Sequence, residues 1–268
     1  MKSRVDTSLS PDDRIVPANI EAARQIVAAQ RAAHFFLRRY RRNVQNPPQH
    51  FSREEFWKQM VVCMYTSVQR SGPNSYLSRF VREKPFPLSL EACETKTDLR
   101  TYAETILSSR SLRFGPKIAG QIEANLAWLR HGGWGTARDH FVLLTQVPVN
   151  SPADERIAAE RRAARSIMGR SGGLAGFGPK QARNLWQYLG VTLYEIPLDS
   201  RICAWLNALP SPFQIKPERL YGSVPYYEAT MSQIQALCRA AGVLPCEFDA
   251  AVFAAADTDE WPEDDDVF

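Results

Sequence analysis

Residues 174–182 have the sequence Leu-Ala-Gly-Phe-Gly-Pro-Lys-Gln-Ala and follow a basic segment, 152–168, with amphipathic helical periodicity. The two glycines let backbone approach a phosphate closely, because they carry no side chain. Pro179 occupies a favoured first position of the next helix, whose N-terminal amides and dipole attract anions. The pattern therefore predicts a helix-hairpin-helix that holds phosphate groups without recognising sequence. A nucleotide-binding Gly-x-Gly loop would need a preceding strand, and this segment follows a helix.

A lysine and an aspartate stand out around this hairpin. Lys180 lies in the first turn of the second helix, and Asp199 follows nineteen residues later (199 − 180). Arginine outnumbers lysine 26 to 7 in the chain. Because a guanidinium keeps its proton in proteins, a lysine at this position is the better candidate for a nucleophile. Asp199 begins a helical segment, and a plain helix N-cap is the alternative role for it.

The hairpin and its downstream aspartate resemble the helix-hairpin-helix, Gly/Pro-Asp (HhH-GPD) DNA glycosylase superfamily. The usual pattern there is Leu-Pro-Gly-Val-Gly-x-Lys-x-Ala, and bifunctional members carry lysine and aspartate at the positions of Lys180 and Asp199. Residues 62–67 are similar to the early buried helix of that family. Residues 112–119 and 244–249 resemble segments of its compact 8-oxoguanine glycosylases. The similarity covers about residues 52–255, with its specific core at 174–201.

The resemblance implies an all-α fold in which two helical lobes flank a DNA cleft. Residues 1–256 would form the glycosylase domain, with the hairpin at about 154–189, and 257–268 a disordered acidic tail. The implied activity is that of a bifunctional DNA glycosylase and AP lyase that flips out and excises a damaged base. Its first choice of substrate is 8-oxoguanine. Another lesion, mismatch or modified base is the alternative within this class, and a non-catalytic hairpin module that binds DNA is the alternative outside it.

The same resemblance implies a role for each candidate residue. Lys180, as a neutral amine, would attack C1′ of the deoxyribose and form a Schiff base, and β-elimination would then cut the strand. Asp199 would stabilise the positive charge that develops on the sugar. Phosphate contacts are expected along the hairpin, at Gly176, Phe177, Gly178, Gln181 and Ala182.

Family pockets are built from the end of the early helix and from the last helix. Gln69 or Arg70 would fill the gap that the flipped base leaves. Asp249 and Phe253, four residues apart on one helical face, resemble the acid and the aromatic that line the pocket of compact 8-oxoguanine glycosylases. The alternative is that Phe253 belongs to the core and Asp249 is an acid near a helix start.

Composition fits a polyanionic partner. The last 28 residues hold nine acids and no basic residue, so the first 240 carry 33 basic and 20 acidic groups, a charge of +13. We expect a monomer that binds double-stranded DNA, with no membrane segment and no signal peptide, in the cytoplasm. Scattered cysteines predict reduced core thiols, with no metal site. No cofactor is expected; a monovalent or divalent cation that bridges the hairpin and a phosphate is left open.

Three other patterns lead to predictions about local structure. A helix is expected from Ala18 to Tyr40, ending in an arginine cluster, 38–42. We interpret this cluster as a solvated helix end, and contact with phosphates is the alternative. Ser52-x-x-Glu55 predicts a capping box. The motif Phe-Gly-Pro-Lys occurs a second time at 114–117 without a downstream aspartate, and it predicts a helix start with no further function. In the hairpin helix, Arg183 and Asn184 are expected to lie off the buried face.

Overall fold

A computed structural model describes residues 14–66, 68–69, 72–147, 151–257 and 259. Within these residues the chain is all-α, as predicted, and its one β-type pairing is an isolated bridge between Met168 and Leu174. Outside the described residues lie the first 13 residues and most of the acidic tail.

The described chain forms fourteen α-helices. They are α1 Pro17–Gln30, α2 His34–Tyr40, α3 Arg53–Tyr65, α4 Tyr76–Arg82, α5 Leu90–Glu94, α6 Leu99–Ser108, α7 Gly115–Trp128, α8 Trp134–Gln146, α9 Ala153–Ser166, α10 Pro179–Tyr188, α11 Ser200–Asn207, α12 Pro217–Gly222, α13 Val224–Ala241 and α14 Pro245–Ala256. Short π-helical turns follow α2 (Arg41–Gln45) and α7 (Leu129–Gly133).

Local signals in the sequence fix most helix starts. Ser52 Oγ accepts a hydrogen bond from the Glu55 amide at 3.2 Å, so Ser52 is the N-cap of α3. The reciprocal bond of the predicted capping box is not seen among the described residues, where the Glu55 carboxylate accepts from Gln59. Pro179 is the first residue of α10, and α7 starts within the second Phe-Gly-Pro-Lys motif, both as predicted. The single helix expected from Ala18 to Tyr40 is wrong. The first helix ends at Gln30, so α1 and α2 are separate helices that both pack against α14.

Buried apolar residues form two clusters. The first includes the inner faces of α3, α6, α7, α8, α9 and α10 and ends at Val191. The second includes buried residues of α1, α2, α11, α13 and α14. Apart from its members in α1 and α2, it begins at Leu193. The chain therefore passes from one cluster to the other between α10 and α11. Lys180 stands on a helix of the first cluster, and Asp199 stands at the start of a helix of the second.

Buried polar groups hold the connection between the clusters. The Glu160 carboxylate accepts hydrogen bonds from the amides of Leu193, Tyr194 and Glu195, each at 2.8 Å. Tyr227 Oη then accepts from the Leu198 amide at 2.7 Å. Because this connection has no helical hydrogen bonds of its own, these side chains satisfy backbone groups that burial would otherwise leave unpaired. They therefore fix the position at which α11 begins, and with it the position of Asp199, the N-cap of that helix.

All five cysteines lie among the described residues, and each is buried and unpaired, as expected for core thiols. In the part of the chain that the structure describes, no helix is long and apolar enough to cross a membrane.

Candidate active site

The hairpin between α9 and α10 is closed by backbone hydrogen bonds. The Gly169 amide donates to the Phe177 carbonyl at 2.9 Å, and the Leu174 amide donates to the Ile167 carbonyl at 3.0 Å. Gly176 has φ +84°, a conformation that glycine adopts without strain. A Cβ at this position would lie 2.6 Å from Gln121 Nε2. Gly178 is extended, and a Cβ there would meet no described atom within 4 Å.

Four amides of the hairpin have no hydrogen-bond acceptor among the described residues: those of Gly176, Gly178, Lys180 and Gln181. They flank the start of α10, where the helix dipole adds positive potential. Such a set of donors can hold an oxyanion. The predicted phosphate contacts also included Phe177 and Ala182, and here the structure differs. The Phe177 amide donates to Leu174 at 3.1 Å and the Ala182 amide to Gly178 at 3.0 Å, and both side chains are buried.

Two neighbouring helices hold the hairpin and α10. Asn125 of α7 is fully buried and donates to the Ala175 carbonyl at 3.2 Å while accepting from the Ala175 amide. The Gln181 side chain donates to the Cys63 carbonyl of α3, so Gln181 can offer a phosphate only its amide. Asn184 donates to Thr66 Oγ1 at 3.1 Å.

Helix α10 is buried on nearly all sides. Arg183 is fully buried and pairs with Glu195, with Nε to Oε2 at 2.6 Å, and Asn184 is 4% exposed. The prediction that these two residues lie off the buried face is wrong, because both hydrophobic clusters border α10. Lys180, at the start of the helix, is its only residue that is not classed as buried.

Lys180 lies in an environment that suits a nucleophilic amine. Its side chain makes no hydrogen bond or ion pair with a described residue. Burial lowers the pKa of the amine, the Asp199 carboxylate opposes this, and the Arg201 guanidinium lowers it further. A lowered pKa increases the neutral, nucleophilic fraction at physiological pH.

Asp199 performs two tasks in the structure. Its Oδ1 accepts from the amides of Arg201 and Ile202 at 2.9 and 3.0 Å, so it is the N-cap of α11. Its Oδ2 lies 3.4 Å from Arg201 Nη1, and its charge acts on Lys180. The helix-cap role is therefore real, and the same carboxylate also acts by its charge on Lys180.

Asp249 joins the same electrostatic cluster. It is 8% exposed, and its Oδ2 accepts from Gln187 Nε2 at 3.0 Å. Burial raises the pKa of the Asp249 carboxyl to about 6, while the charge of Arg39 opposes the rise and that of Asp199 adds to it. Asp249 also acts on Lys180. A buried carboxyl with a perturbed pKa beside a perturbed lysine is typical of a functional site.

The Phe253 ring is packed against two neighbouring groups and is not an open wall of a pocket. Its ring stacks on Phe35 with centroids 3.9 Å apart and an interplanar angle of 14°. The Arg201 guanidinium lies 4.1 Å from the same ring. Since two groups this close cannot share one face, both faces of the ring are covered. A base that stacks on Phe253 would have to displace Arg201.

Gln69 follows the C-terminal end of α3 and contacts the backbone of Arg113, the residue before Phe114. Gln69 Oε1 accepts from the Arg113 amide at 3.0 Å, and Arg70 lies outside the described residues. Phe114 is 58% exposed and has φ +59°, which is unusual for an aromatic residue. The sequence assigned no function to this second Phe-Gly-Pro-Lys motif. Its exposed ring is the signal that sequence alone could not give.

The arginine cluster also differs from the prediction of a solvated helix end. Arg39 is only 5% exposed, its guanidinium lies 4.6 Å from the Tyr188 ring centroid, and its Nε and Nη1 have no described partner. Its charge acts on Asp249 and on Cys63. Arg39 and Arg201 are therefore the two site residues that sequence reasoning missed, because their positions depend on contacts between distant segments.

Among the described residues no group of three or more His, Cys, Asp and Glu side chains has the arrangement of a metal site. The functional groups described at this site are the Lys180 amine, the carboxylates of Asp199 and Asp249, and the backbone amides of the hairpin. Comparisons with protein-family models, with curated proteins and with solved structures found no match to this chain.

Proposed function

We propose that the protein is a bifunctional DNA glycosylase and AP lyase of the helix-hairpin-helix type. The observation that carries the proposal is Lys180, a partly buried amine of lowered pKa beside Asp199, at the start of a helix that follows a hairpin with free amides. The two hydrophobic clusters would form two lobes, with Lys180 and Asp199 on opposite sides of a DNA cleft between them.

Each part of the site has a step in this chemistry. The free hairpin amides hold a phosphate and thereby place the strand. Lys180, as neutral amine, attacks C1′; the base leaves with the C1′–N electron pair and takes up a proton. The C1′–O4′ bond then breaks, O4′ takes up a proton from the lysine nitrogen, and the ring-opened sugar is a protonated Schiff base. Loss of a proton from C2′ allows β-elimination, which expels the 3′ phosphate with its C3′–O electron pair. Asp199 stabilises the positive sugar in the transition state.

Phe114 and Gln69 supply a wedge in this account. An exposed aromatic ring can enter the base stack and keep the gap open while the target base is outside it. Asp249 and Arg39 would face the extruded base, which a carboxyl and an arginine can recognise by hydrogen bonds. An oxidised purine such as 8-oxoguanine is the leading substrate, and another damaged or mismatched base is the alternative.

Borohydride trapping on a duplex with an abasic site tests the enzyme against a non-catalytic DNA-binding module. We expect a covalent adduct with the wild type and none with Lys180→Gln, because the amide cannot form a Schiff base. DNA affinity should be retained, since the hairpin amides are unchanged. Lys117→Gln is the matched control, because Lys117 occupies the same place in the second Phe-Gly-Pro-Lys motif.

An adduct that persists in Lys180→Gln would assign the chemistry to another amine. If the wild type forms no adduct on any abasic or lesion duplex, the hairpin module is the better account. A panel of duplexes with 8-oxoguanine, other damaged bases and mismatches then identifies the base.

A further inference from the structure

A cavity of about 730 Å³ opens at the C-terminal end of α10, away from Lys180. It is lined by α2 and the turn that follows, by Glu55 of α3, and by the end of α10. Its basic lining residues are His34, Arg38, Arg41 and Arg42, and its apolar ones are Leu37, Pro48, Tyr188 and Leu189, with Asn46 between them. A volume of this size is in the range of small-molecule sites.

The positive charge of Arg42 in this cavity is offset only in part, because Glu55 opposes the lowering of its pKa less than burial and the neighbouring arginines cause it. Arg42 donates through Nη1 to the Tyr188 carbonyl at 3.2 Å, and its Nε and Nη2 are buried without a described partner. Burial, and then the charges of Arg39 and Arg38, lower the pKa of Arg42 to about 9. Glu55 is the one lining carboxylate; it is exposed and already accepts from Gln59 at 2.7 Å. Buried guanidinium groups usually have an anionic or carbonyl partner for each donor.

A second groove in the same molecule provides the contrast. The groove between α9 and α13 is also rich in arginine, but three of its arginines form ion pairs. Arg161 pairs with Glu195, Arg165 with Glu228, and Arg239 with Asp154. Three of the four arginines of that groove therefore have carboxylate partners within the protein, whereas two nitrogens of Arg42 in the cavity have no described acceptor.

We propose that this cavity binds a nucleotide, with its phosphate on Arg41 and Arg42 and its base against the apolar wall. Guanidinium groups are the preferred partners of phosphate, because their N–H fork matches its oxygens. Leu37 and Pro48, the half-buried apolar residues of the lining, provide a surface for a planar base, and the exposed Asn46 amide can bond its edge. The nucleotide is either free in solution or one unit of a nucleic-acid strand.

This site is separate from the candidate catalytic pair. Tyr188 lies eight residues beyond Lys180 on α10, which corresponds to about 12 Å of helix rise. The proposal does not depend on Lys180 or on glycosylase activity, so either idea can fail without the other.

Isothermal titration calorimetry with three probes tests the site: inorganic phosphate, 2′-deoxyguanosine 5′-monophosphate and a single-stranded 12-mer. We expect the monophosphate to bind more tightly than inorganic phosphate, because the apolar wall adds to the charge. Arg41→Gln and Arg42→Gln should each weaken it about tenfold or more, from loss of one charge-assisted contact. Arg138→Gln, on the exposed side of α8, is the control and should bind as the wild type does.

The strand probe distinguishes the two sources. If the natural ligand is a strand, Arg41→Gln weakens 12-mer and monophosphate binding by the same factor; if it is a free nucleotide, 12-mer binding is unchanged. Arg41 is exposed, so its variant gives a result even where Arg42→Gln does not fold. No binding of the monophosphate at millimolar concentration, or an equal loss in Arg138→Gln, would overturn the proposal.

Discussion

At the scale of single residues, Lys180 and Asp199 are coupled by charge. Asp199 raises the pKa of Lys180 while burial and Arg201 lower it, so the carboxylate keeps part of the amine protonated. In the proposed mechanism, the same carboxylate acts on the amine and would stabilise the positive charge on the sugar. Its helix-cap bonds fix the carboxylate in place.

Asp199→Asn should separate these effects, because the amide oxygen keeps the cap but carries no charge. We expect base excision to fall by about 10²–10³, the usual cost of losing one electrostatic stabiliser of the transition state. The pKa of Lys180 should drop, so that trapping at a preformed abasic site reaches its half-maximal rate at lower pH. Single-turnover kinetics measure the rate of base excision, and a pH profile of trapping measures the change in the pKa of Lys180. An unchanged excision rate, or a profile moved to higher pH, would contradict the assignment.

Asp249 should lower stability at neutral pH. Its folded-state pKa of about 6 exceeds the ordinary 3.8, so the ionised carboxyl destabilises the fold above pH 6 and no longer does so below pH 4. The difference amounts to roughly 3 kcal/mol at 1.36 kcal/mol per pH unit. Asp249→Asn resembles the protonated form and should raise the free energy of unfolding by up to that amount at pH 7.5.

Urea unfolding at pH 7.5 and pH 4 measures this gain, which should shrink at the lower pH. A variant less stable than the wild type at pH 7.5 would show that the Asp249 charge stabilises the fold. Retention of a costly buried carboxylate fits a functional role, because active sites often reduce stability.

At the scale of elements, the hairpin and helix starts were predictable and the burial of α10 was not. Pro179, Ser52 and Asp199 act through neighbours within four residues, so their signals are local. Arg183 and Arg39 are buried by contacts with Glu195 and Tyr188, of which Tyr188 lies 149 residues from Arg39. Periodicity assumes one buried face per helix, and α10 lies between two clusters.

Gly178 offers a test of the phosphate-binding hairpin. A Cβ there meets no described atom and its backbone is extended, so Gly178→Ala should leave stability unchanged or raise it by up to about 1 kcal/mol. The same Cβ would stand among the free amides, and we expect DNA affinity to fall about tenfold, as for one lost charge-assisted hydrogen bond. Thermal unfolding and fluorescence anisotropy with duplex DNA measure the two effects.

Gly176→Ala is the matched comparison in the same hairpin. Its positive φ and its contact with Gln121 predict a loss of stability as well as of binding. If Gly178→Ala binds DNA as the wild type does, phosphate does not approach the hairpin amides.

At the scale of the whole molecule, the distribution of charge fits a polyanionic partner. The first 240 residues carry +13, and Lys180 and Asp199 stand on helices that belong to different clusters. The all-α class was predicted through the resemblance. The division of the buried apolar residues into two clusters was not predictable from local signals, because which helices share a cluster depends on long-range contacts.

Binding to duplex DNA should depend strongly on salt, because each phosphate contact releases counterions. With about five contacts, the plot of log affinity against log salt concentration should have a slope near −4 to −5, at 0.9 per contact. Anisotropy titrations between 50 and 300 mM potassium chloride measure it. Lys180→Gln should change this slope by less than about 0.9, the value that corresponds to one phosphate contact. A slope near zero would show that the basic surface does not contact DNA.

The most direct test of the central claim is to identify the amine that becomes attached to DNA. The wild-type protein is trapped with borohydride on an abasic duplex, digested with a protease and examined by mass spectrometry. We predict that the sugar adduct lies on the peptide that contains Lys180, and on Lys180 itself. An adduct on another lysine or on the N-terminal amine, with Lys180 unmodified, would contradict the account.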